Sequence, residues 1–206
     1  MSPIKQSLRK YFIMGSQNCD RHPVEILESA AQAGITAFQF REKGDGSLTG
    51  NAKLELGKQL RDICGHYDIP FIVNDDIDLV TPLEADGIHV GQDDRSVEEV
   101  RKLFPNKIIG LSVSSRSELI NSPIQLVDYI GAGPVFTTNT KKDAKTAVGL
   151  EWITSLRKQF PDLPIVGIGG INSDNAASVI AAGADGVSVI SAITHATDIR
   201  NSVENL

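Results

Sequence analysis

Two short acidic clusters stand where buried strands of this chain are expected to end. Residues 73–76 are Val-Asn-Asp-Asp and follow the apolar run 70–73, and residues 91–94 are Gly-Gln-Asp-Asp and follow the run 86–90. Carboxylates at such positions either cap a turn or bind a hard cation. Mg²⁺ needs only one or two protein carboxylates when a substrate phosphate supplies further oxygen ligands. Each cluster alone fits turn chemistry, but two clusters on adjacent parallel strands would meet and indicate a magnesium site.

A set of basic and amide side chains follows another expected strand. Gln39, Arg41 and Lys43 alternate along the chain, so a strand that persists this far presents all three on one side. Arg binds phosphate oxygens in a bidentate manner, and Lys meets them as a point charge. The set therefore suits a polyphosphate. The alternative is a solvated strand end in which Lys43 pairs with Glu42 or Asp45.

Hydroxyl groups and a cation follow two later strands. Ser112 lies in Gly-Leu-Ser-Val-Ser at 110–114 and either donates to a phosphate or caps the next helix. Thr138, Thr140 and Lys141 offer two hydroxyls and a cation in the long segment 132–148, which is typical of a functional lid. A solvated loop is the alternative for that segment.

The last two strands are followed by small residues. Gly169 and Gly170 follow one, and Ile190 and Ser191 follow the other. Many (β/α)₈ barrels bind phosphate at these two loops through backbone N–H groups, although tight turns alone would explain the glycines. His89 lies mid-strand among apolar neighbours, and we interpret it as a hydrogen-bonded core residue rather than a ligand.

These positions depend on a regular alternation of strands and helices. The chain contains eight short apolar runs, at 10–14, 35–40, 70–73, 86–90, 107–111, 127–131, 164–168 and 186–190. Amphipathic helical patterns between them are 23–34, 49–66, the segment that Ser96 opens with Glu99, the segment that Ser115 opens with Glu118, 150–160 and 172–182. Such alternation predicts βαβ units and a parallel sheet.

The number of strands predicts an α/β fold with a single (β/α)₈ TIM barrel spanning residues 1–206. Eight strand–helix units within 206 residues fit a closed barrel near its lower size limit. A doubly wound open sheet is the alternative, but its glycine-rich turn after the first strand is not matched by residues 15–20, Gly-Ser-Gln-Asn-Cys-Asp.

Composition narrows the environment and the partners. The 206 residues include two cysteines and carry a formal net charge of −6. Cys19 and Cys64 form no framework, so we expect a reduced, cytoplasmic setting. An acidic surface disfavours nucleic acid and anionic membranes, and no apolar run is long enough to span a bilayer. The sequence leaves open whether the protein is a homo-oligomer.

Six motifs in register make the chain resemble the thiamine-phosphate synthase family. They are Gln39-x-Arg41-x-Lys43, Asn74-Asp75, Gly91-Gln92-x-Asp94, Gly110-x-Ser112, Thr138-x-Thr140-Lys141 and Gly169-Gly170-Ile171. The resemblance runs from about residue 10 to 195. It implies a (β/α)₈ barrel that joins 4-amino-5-hydroxymethyl-2-methylpyrimidine diphosphate to 4-methyl-5-(2-phosphoethyl)thiazole with Mg²⁺, giving thiamine phosphate and pyrophosphate.

The resemblance also implies a role for each matching residue. Asp75 and Asp94 would bind Mg²⁺, and the catalytic groups would be Arg41, Lys43, Ser112 and Lys141. The pyrimidine diphosphate would be bound by Gln39, Phe40, Arg41, Glu42, Lys43, Asn74, Ser112 and Lys141. The thiazole phosphate would be bound by Thr138, Asn139, Thr140, Gly169, Gly170, Ile190 and Ser191. One departure is Ser114, where the family often has His.

Two other functions remain as alternatives. A thiazole tautomerase shares a similar barrel but needs no diphosphate site, so it need not keep the paired carboxylates or the set at 39–43. A non-catalytic barrel that binds thiamine phosphates would keep the ligand-binding residues without turnover.

Overall fold

The computed structural model describes residues 3–138, 140 and 145–206 and contains eight parallel strands. The strands are β1 Lys10–Met14, β2 Ala37–Phe40, β3 Phe71–Asn74, β4 Gly87–Val90, β5 Ile108–Val113, β6 Tyr129–Ala132, β7 Ile165–Gly167 and β8 Gly186–Val189. Each strand pairs with the next along the chain, and β1 also pairs with β8, so the sheet closes on itself. Closure excludes the open doubly wound sheet and confirms the (β/α)₈ barrel.

Helices cover the outside of the barrel. They are α1 Pro3–Ser7, α2 Pro23–Gln32, α3 Gly50–His66, α4 Val97–Leu103, α5 Arg116–Asn121, α6 Leu150–Gln159, α7 Ala176–Ala181, α8 Ser191–Thr194 and α9 Ile199–Glu204. The expected caps form, because the Ser96 and Ser115 side chains accept hydrogen bonds from the backbone N–H groups of Glu99 and Glu118. Within the described ranges, no helix has the length and apolar character needed to cross a membrane.

Alternate residues along the strands enter two separate cores. Phe12, Phe38 and Phe71 belong to the larger core, which the barrel shares with its helices. Tyr11, Ile13, Ala37, Ile72, Tyr129 and Val166 form a smaller cluster inside the barrel. This division follows from the two-residue period of a strand, so a polar residue on the inner set must find its partners inside the barrel.

An Arg–Asp arrangement recurs three times at the amino-terminal end of the barrel. Arg61, Arg101 and Arg157 form ion pairs with Asp86, Asp128 and Asp185, respectively. Each aspartate directly precedes a strand and also accepts a backbone N–H from the start of the neighbouring strand, at Phe71, Ile109 and Ile165. The arrangement therefore joins a helix to two adjacent strands.

The Arg157 example has the largest number of partners. Its guanidinium also donates to the carbonyl oxygens of Phe160, Pro161, Leu163 and Gly183. Asp185 is only 13% exposed and has Lys5 as a second cation at 3.3 Å. These charges and hydrogen-bonding groups are paired with one another, far from the carboxyl ends of the strands. We therefore infer that they stabilise the fold and take no part in the chemistry.

We predict that Asp185→Ala lowers the free energy of unfolding by about 3 kcal/mol, because it leaves Arg157 and the Ile165 N–H without their shared carboxylate. Urea denaturation measures the change. Glu55→Ala is the control, since Glu55 forms an exposed pair with Lys58 and should cost less than about 0.5 kcal/mol. Equal losses in the two variants would contradict this assignment.

Candidate active site

One cavity of about 700 Å³ opens at the carboxyl ends of the strands. Its walls include residues in or directly after all eight strands, because parallel strands point their carboxyl ends at the same rim. Predicted site residues in its lining are Arg41, Lys43, Asn74, Asp75, Asp94, Ser112, Thr138, Thr140, Gly169, Gly170, Ile190 and Ser191. Its size is typical of a small-molecule site.

The two acidic clusters meet at Lys43. The Lys43 ammonium contacts Asp75 Oδ2 and lies 3.3 Å from Asp94 Oδ1. Asp94 is held by the Gly91 N–H at 2.8 Å, and the Asp75 N–H donates to the carbonyl of His89. Asp75 has a φ of 59°, in the left-handed region that non-glycine residues rarely adopt. The backbone is thus shaped to present both carboxylates at one point.

The close approach of these groups changes their acidity. Burial, followed by the hydrogen bond to Asp94, raises the pKa of Asp75 to about 6. Although burial alone would raise it, the pKa of Asp94 is lowered by its hydrogen bonds to Asp75, the Gly91 N–H and Lys43. Burial opposes ionisation of Lys43 as well, but the two aspartates raise its pKa. A positive charge between the carboxylates is therefore favoured.

This pair of carboxylates fits Mg²⁺ when other ligands are available. Hard oxygen donors converge on a point where a cation already lies. The described residues include no group of three or more acidic, His or Cys side chains that could hold a metal ion. Asp75 and Asp94 therefore suit a magnesium ion that takes its remaining ligands from a phosphate and from water.

Each acidic cluster contains a second aspartate, Asp76 in the first and Asp93 in the second. Asp76 pairs with Lys53 of α3 at 2.7 Å, which fixes the loop after β3. Asp93 is exposed at the cavity wall. Asp75 and Asp94 therefore differ from their sequence neighbours Asp76 and Asp93 in that both contact Lys43.

Arg41 is a buried cation that faces the cavity. It is 8% exposed, and no carboxylate pairs with its guanidinium in the described part of the chain. A buried charge without an opposite charge is costly, so such a group is typical of a site that receives an anion. Asn74 and Ser112 border the same cavity.

A second polar region lies across the cavity. Gly169 and Gly170 have φ values of 86° and 67°, and a Cβ on Gly170 would lie 2.7 Å from the carbonyl oxygen of Thr137. The Thr140 and Ser191 hydroxyls are 3.3 Å apart. Among the residues described, the backbone N–H groups of Gly170 and Ser191 have no acceptor. These donors suit a phosphate group.

Two side chains of the expected pyrimidine diphosphate set do not face the cavity. Phe40 is 1% exposed and packs against Phe71 in the larger core. Glu42 is turned away and accepts hydrogen bonds from the Ser16 hydroxyl, the Ser16 N–H and the Leu48 N–H. Residues 40 and 42 point to the other side of the chain from Arg41, as alternation along a strand requires, so their expected contacts with the diphosphate stay predictions.

Gln39 lies on the expected side but deeper than Arg41. It is 1% exposed and donates to the hydroxyl of Tyr11 inside the barrel. It does not border the cavity directly. Its proposed contact with a substrate stays a prediction.

Two predicted residues, Asn139 and Lys141, lie outside the described residues. Nearby, the structure adds a pair that the sequence interpretation missed. Lys145 Nζ lies 2.6 Å from Glu118 Oε1 at the cavity wall, and Glu118 also accepts hydrogen bonds from the backbone N–H and hydroxyl of Ser114. The only available signal was Glu118 at the start of α5, which was explained as part of a helix cap.

His89 has a larger role than its sequence position indicated. It is buried and hydrogen-bonded, as expected of a core residue, but it also borders the cavity and contacts Ser112. The signal for this role was its strand position, which places it on the inner set at the same level as Asn74 and Gly110.

The fold and the cavity together place the protein in the class of (β/α)₈-barrel enzymes whose cavity suits phosphate groups. Comparisons with known proteins agree. A family model described as thiamine monophosphate synthase matches residues 10–193. The chain is 67% identical over 202 residues to a thiamine-phosphate synthase of Oceanobacillus iheyensis, which covers 98% of each chain.

Two further comparisons extend this result. A thiamine-phosphate synthase of Streptococcus suis is 53% identical, covering 94% of this chain and 85% of the relative. The solved structure of a thiamine phosphate pyrophosphorylase from Pyrococcus furiosus superimposes with a TM-score of 0.86 at 35% identity, covering 98% of this chain and 95% of the other. The chain belongs to the thiamine monophosphate synthase family.

We predict that Glu42→Gln lowers the free energy of unfolding by about 1–3 kcal/mol, because the new amide group meets N–H and O–H donors. Urea denaturation measures stability, and calorimetry measures the affinity for inorganic pyrophosphate with Mg²⁺. Glu55→Gln is the exposed control. A Glu42 variant with unchanged stability and at least tenfold weaker pyrophosphate binding would instead make Glu42 a ligand.

Proposed function

We propose that this protein is a transferase that joins 4-amino-5-hydroxymethyl-2-methylpyrimidine diphosphate to 4-methyl-5-(2-phosphoethyl)thiazole. The products are thiamine phosphate and pyrophosphate. Membership of the thiamine monophosphate synthase family supports this reaction. The single observation in the structure that carries it is one cavity with a buried cation, Arg41, on one side and, on the other, backbone N–H groups of Gly170 and Ser191 that have no acceptor within the described residues. Two phosphorylated substrates need two such regions.

The diphosphate is assigned to the side that contains Arg41, Lys43 and the carboxylates. Asp75 and Asp94 would hold Mg²⁺, and the ion would supply positive charge to the leaving pyrophosphate. Arg41 and Lys43 bind the same group as direct cationic partners. Lys141 is assigned here from the family resemblance. The lack of a carboxylate beside Arg41 among the described residues supports this orientation of the substrate.

The thiazole phosphate is assigned to the opposite side. Gly169 and Gly170 allow close approach of the backbone, and the hydroxyls of Thr138, Thr140 and Ser191 lie beside them. Ile190 contributes an apolar surface to the same wall. Asn139 is assigned here from the resemblance alone.

The reaction breaks the bond between the pyrimidine methylene carbon and the diphosphate oxygen, and it forms a bond from the thiazole nitrogen to that carbon. The aminopyrimidine donates electrons to the carbon, so we infer a dissociative step with a carbocation-like pyrimidine. No protein nucleophile is needed. The chain contributes by stabilising the departing charge through Arg41, Lys43 and Ser112 and by aligning the two substrates.

The cellular setting proposed for this reaction is the cytoplasm. The two cysteines, Cys19 and Cys64, are both free, and burial raises the pKa of the Cys64 thiol to about 12. An unreactive buried thiol of this kind is compatible with a reducing compartment.

The direct test mixes the purified protein with both substrates and MgCl₂ and measures pyrophosphate release and thiamine phosphate formation. The expected result is product that requires both substrates and the metal. Release of pyrophosphate from the pyrimidine substrate alone, at the same rate, would contradict the transferase. Binding of both substrates without product would favour a non-catalytic barrel.

We predict that Asp94→Asn lowers kcat on the order of 100-fold and raises the Mg²⁺ concentration needed for half-maximal rate, because one of two metal carboxylates is lost. Asp93→Asn is the matched control from the same cluster, with an exposed side chain and an expected change of less than about threefold. Magnesium titrations of the steady-state rate make the measurement. Near-normal turnover of Asp94→Asn at limiting Mg²⁺ would remove Asp94 from the metal site.

A further inference from the structure

A continuous series of hydrogen bonds crosses the barrel interior and ends at the cavity. We call Gln39, Tyr11, Tyr129, His89 and Ser112 the interior series. Gln39 Nε2 donates to Tyr11 Oη at 2.8 Å, and the two tyrosine hydroxyls are 2.8 Å apart. His89 Nδ1 lies 2.9 Å from Tyr129 Oη, and His89 Nε2 lies 2.8 Å from Ser112 Oγ. Five different strands supply these residues.

Neighbouring glycines make room for this series. A Cβ on Gly110 would lie 2.1 Å from Tyr129 Cζ and 2.5 Å from His89 Nδ1. A Cβ on Gly131 would lie 3.1 Å from His89 Cε1. Any side chain at Gly110 would therefore separate Tyr129 from His89. Barrel interiors are usually filled by branched apolar side chains, so the polar series is a specific feature of this chain.

The number of available protons decides which group donates and which accepts in each hydrogen bond of the interior series. Burial raises the pKa of both Tyr11 and Tyr129, so each phenol keeps its one proton. Tyr11 accepts from the Gln39 amide, and its only other hydrogen-bonding partner within the described ranges is Tyr129. Tyr11 must therefore donate to Tyr129, and Tyr129 in turn donates to His89 Nδ1.

We propose that the interior series holds His89 as the tautomer protonated on Nε2, so that His89 donates to Ser112 and leaves the Ser112 hydroxyl proton directed at the cavity. His89 is then a positioning residue that acts through Ser112. Because a hydroxyl has one proton, Ser112 can donate to an anion in the cavity only if it accepts from His89.

This direction gives the Ser112 hydroxyl a defined part in the reaction, a consequence that rests on the proposed function. A preorganised donor stabilises the charge that develops on the departing diphosphate without reorientation in the transition state. Reversal of the series would place the Ser112 proton on the bond to His89 Nε2. The cavity would then lose a donor although every heavy atom stayed in place.

The first test is ¹⁵N NMR of the full-length protein labelled with ¹⁵N-histidine, at neutral pH and without substrates. We expect a protonated Nε2 and an unprotonated Nδ1 for His89, identified by the signals that disappear in His89→Asn. A protonated Nδ1 in the wild-type protein overturns the proposal. Because no substrate is present, this measurement decides the direction of the series whether or not the proposed reaction is observed.

The second test removes the donor to Nδ1 with Tyr129→Phe. We expect the two His89 nitrogen signals to move toward each other as the tautomers mix, and kcat to fall about tenfold with KM values changed less than about threefold. Tyr67→Phe is the matched control, because the Tyr67 hydroxyl bonds Glu28 outside the barrel. Neither the His89 signals nor kcat should change in this variant.

Each result of the second test has a definite meaning. An unchanged tautomer in folded Tyr129→Phe overturns the control of His89 by Tyr129. A changed tautomer with wild-type kcat overturns the role of Ser112 as an oriented donor. Where Tyr129→Phe does not fold, the wild-type spectrum still decides the tautomer. Absence of turnover in the wild-type protein would refute the proposed function and leave the test of the tautomer intact.

Discussion

Closure of the sheet between β1 and β8 is the constraint on which the site depends. The pairing of Lys10–Phe12 with Val187–Val189 completes a ring of parallel strands, so all carboxyl ends face one opening. Arg41 from the first part of the chain and Ser191 from its last part therefore border the same cavity. Without closure, the two regions proposed to bind phosphate would belong to opposite edges of a sheet.

Charged side chains are paired at one end of the barrel, whereas, in the part of the chain that the structure describes, a buried charge is left unpaired at the other. At the amino-terminal end, Asp128 and Asp185 each accept from an arginine and from a strand N–H, so their charges are balanced within the protein. At the carboxyl-terminal end, Arg41 is buried without a carboxylate partner among the described residues. The paired aspartates contribute stability. The Arg41 charge, unpaired within the described ranges, is available to bind an anionic ligand. Because the two arrangements lie at opposite ends of the barrel, an unpaired charge in the cavity does not disrupt the ion pairs that stabilise the fold.

The strands, the helix caps and most of the rim residues could be predicted from the sequence, because each depends on local periodicity or on the residue that ends a strand. Alternation along the strand separated Phe40 and Glu42 from Arg41, but the partners of Glu42 could not be predicted, since Ser16 follows a different strand and Leu48 lies further along the chain. The partners of His89 were also inaccessible, because Tyr129 and Ser112 come from other strands and only the closed barrel brings them within hydrogen-bonding distance.

The presence of carboxylates in a cavity proposed to bind anions has an electrostatic explanation. Asp75 and Asp94 repel each other and would repel a diphosphate, and the raised pKa of Asp75 reflects both its burial and this repulsion. Like charges 4 Å apart cost about 1–4 kcal/mol in the solvent-exposed range of effective dielectric constants. A cation between them removes this cost, and Lys43 is the cation that the chain itself supplies. Asp75 and Asp94 are the residues that would hold a metal ion brought by a diphosphate, and Lys43 would then be available to the phosphate oxygens. Under the proposed function, paired carboxylates of this kind would make diphosphate binding depend on the metal, which an all-cationic cavity would not do.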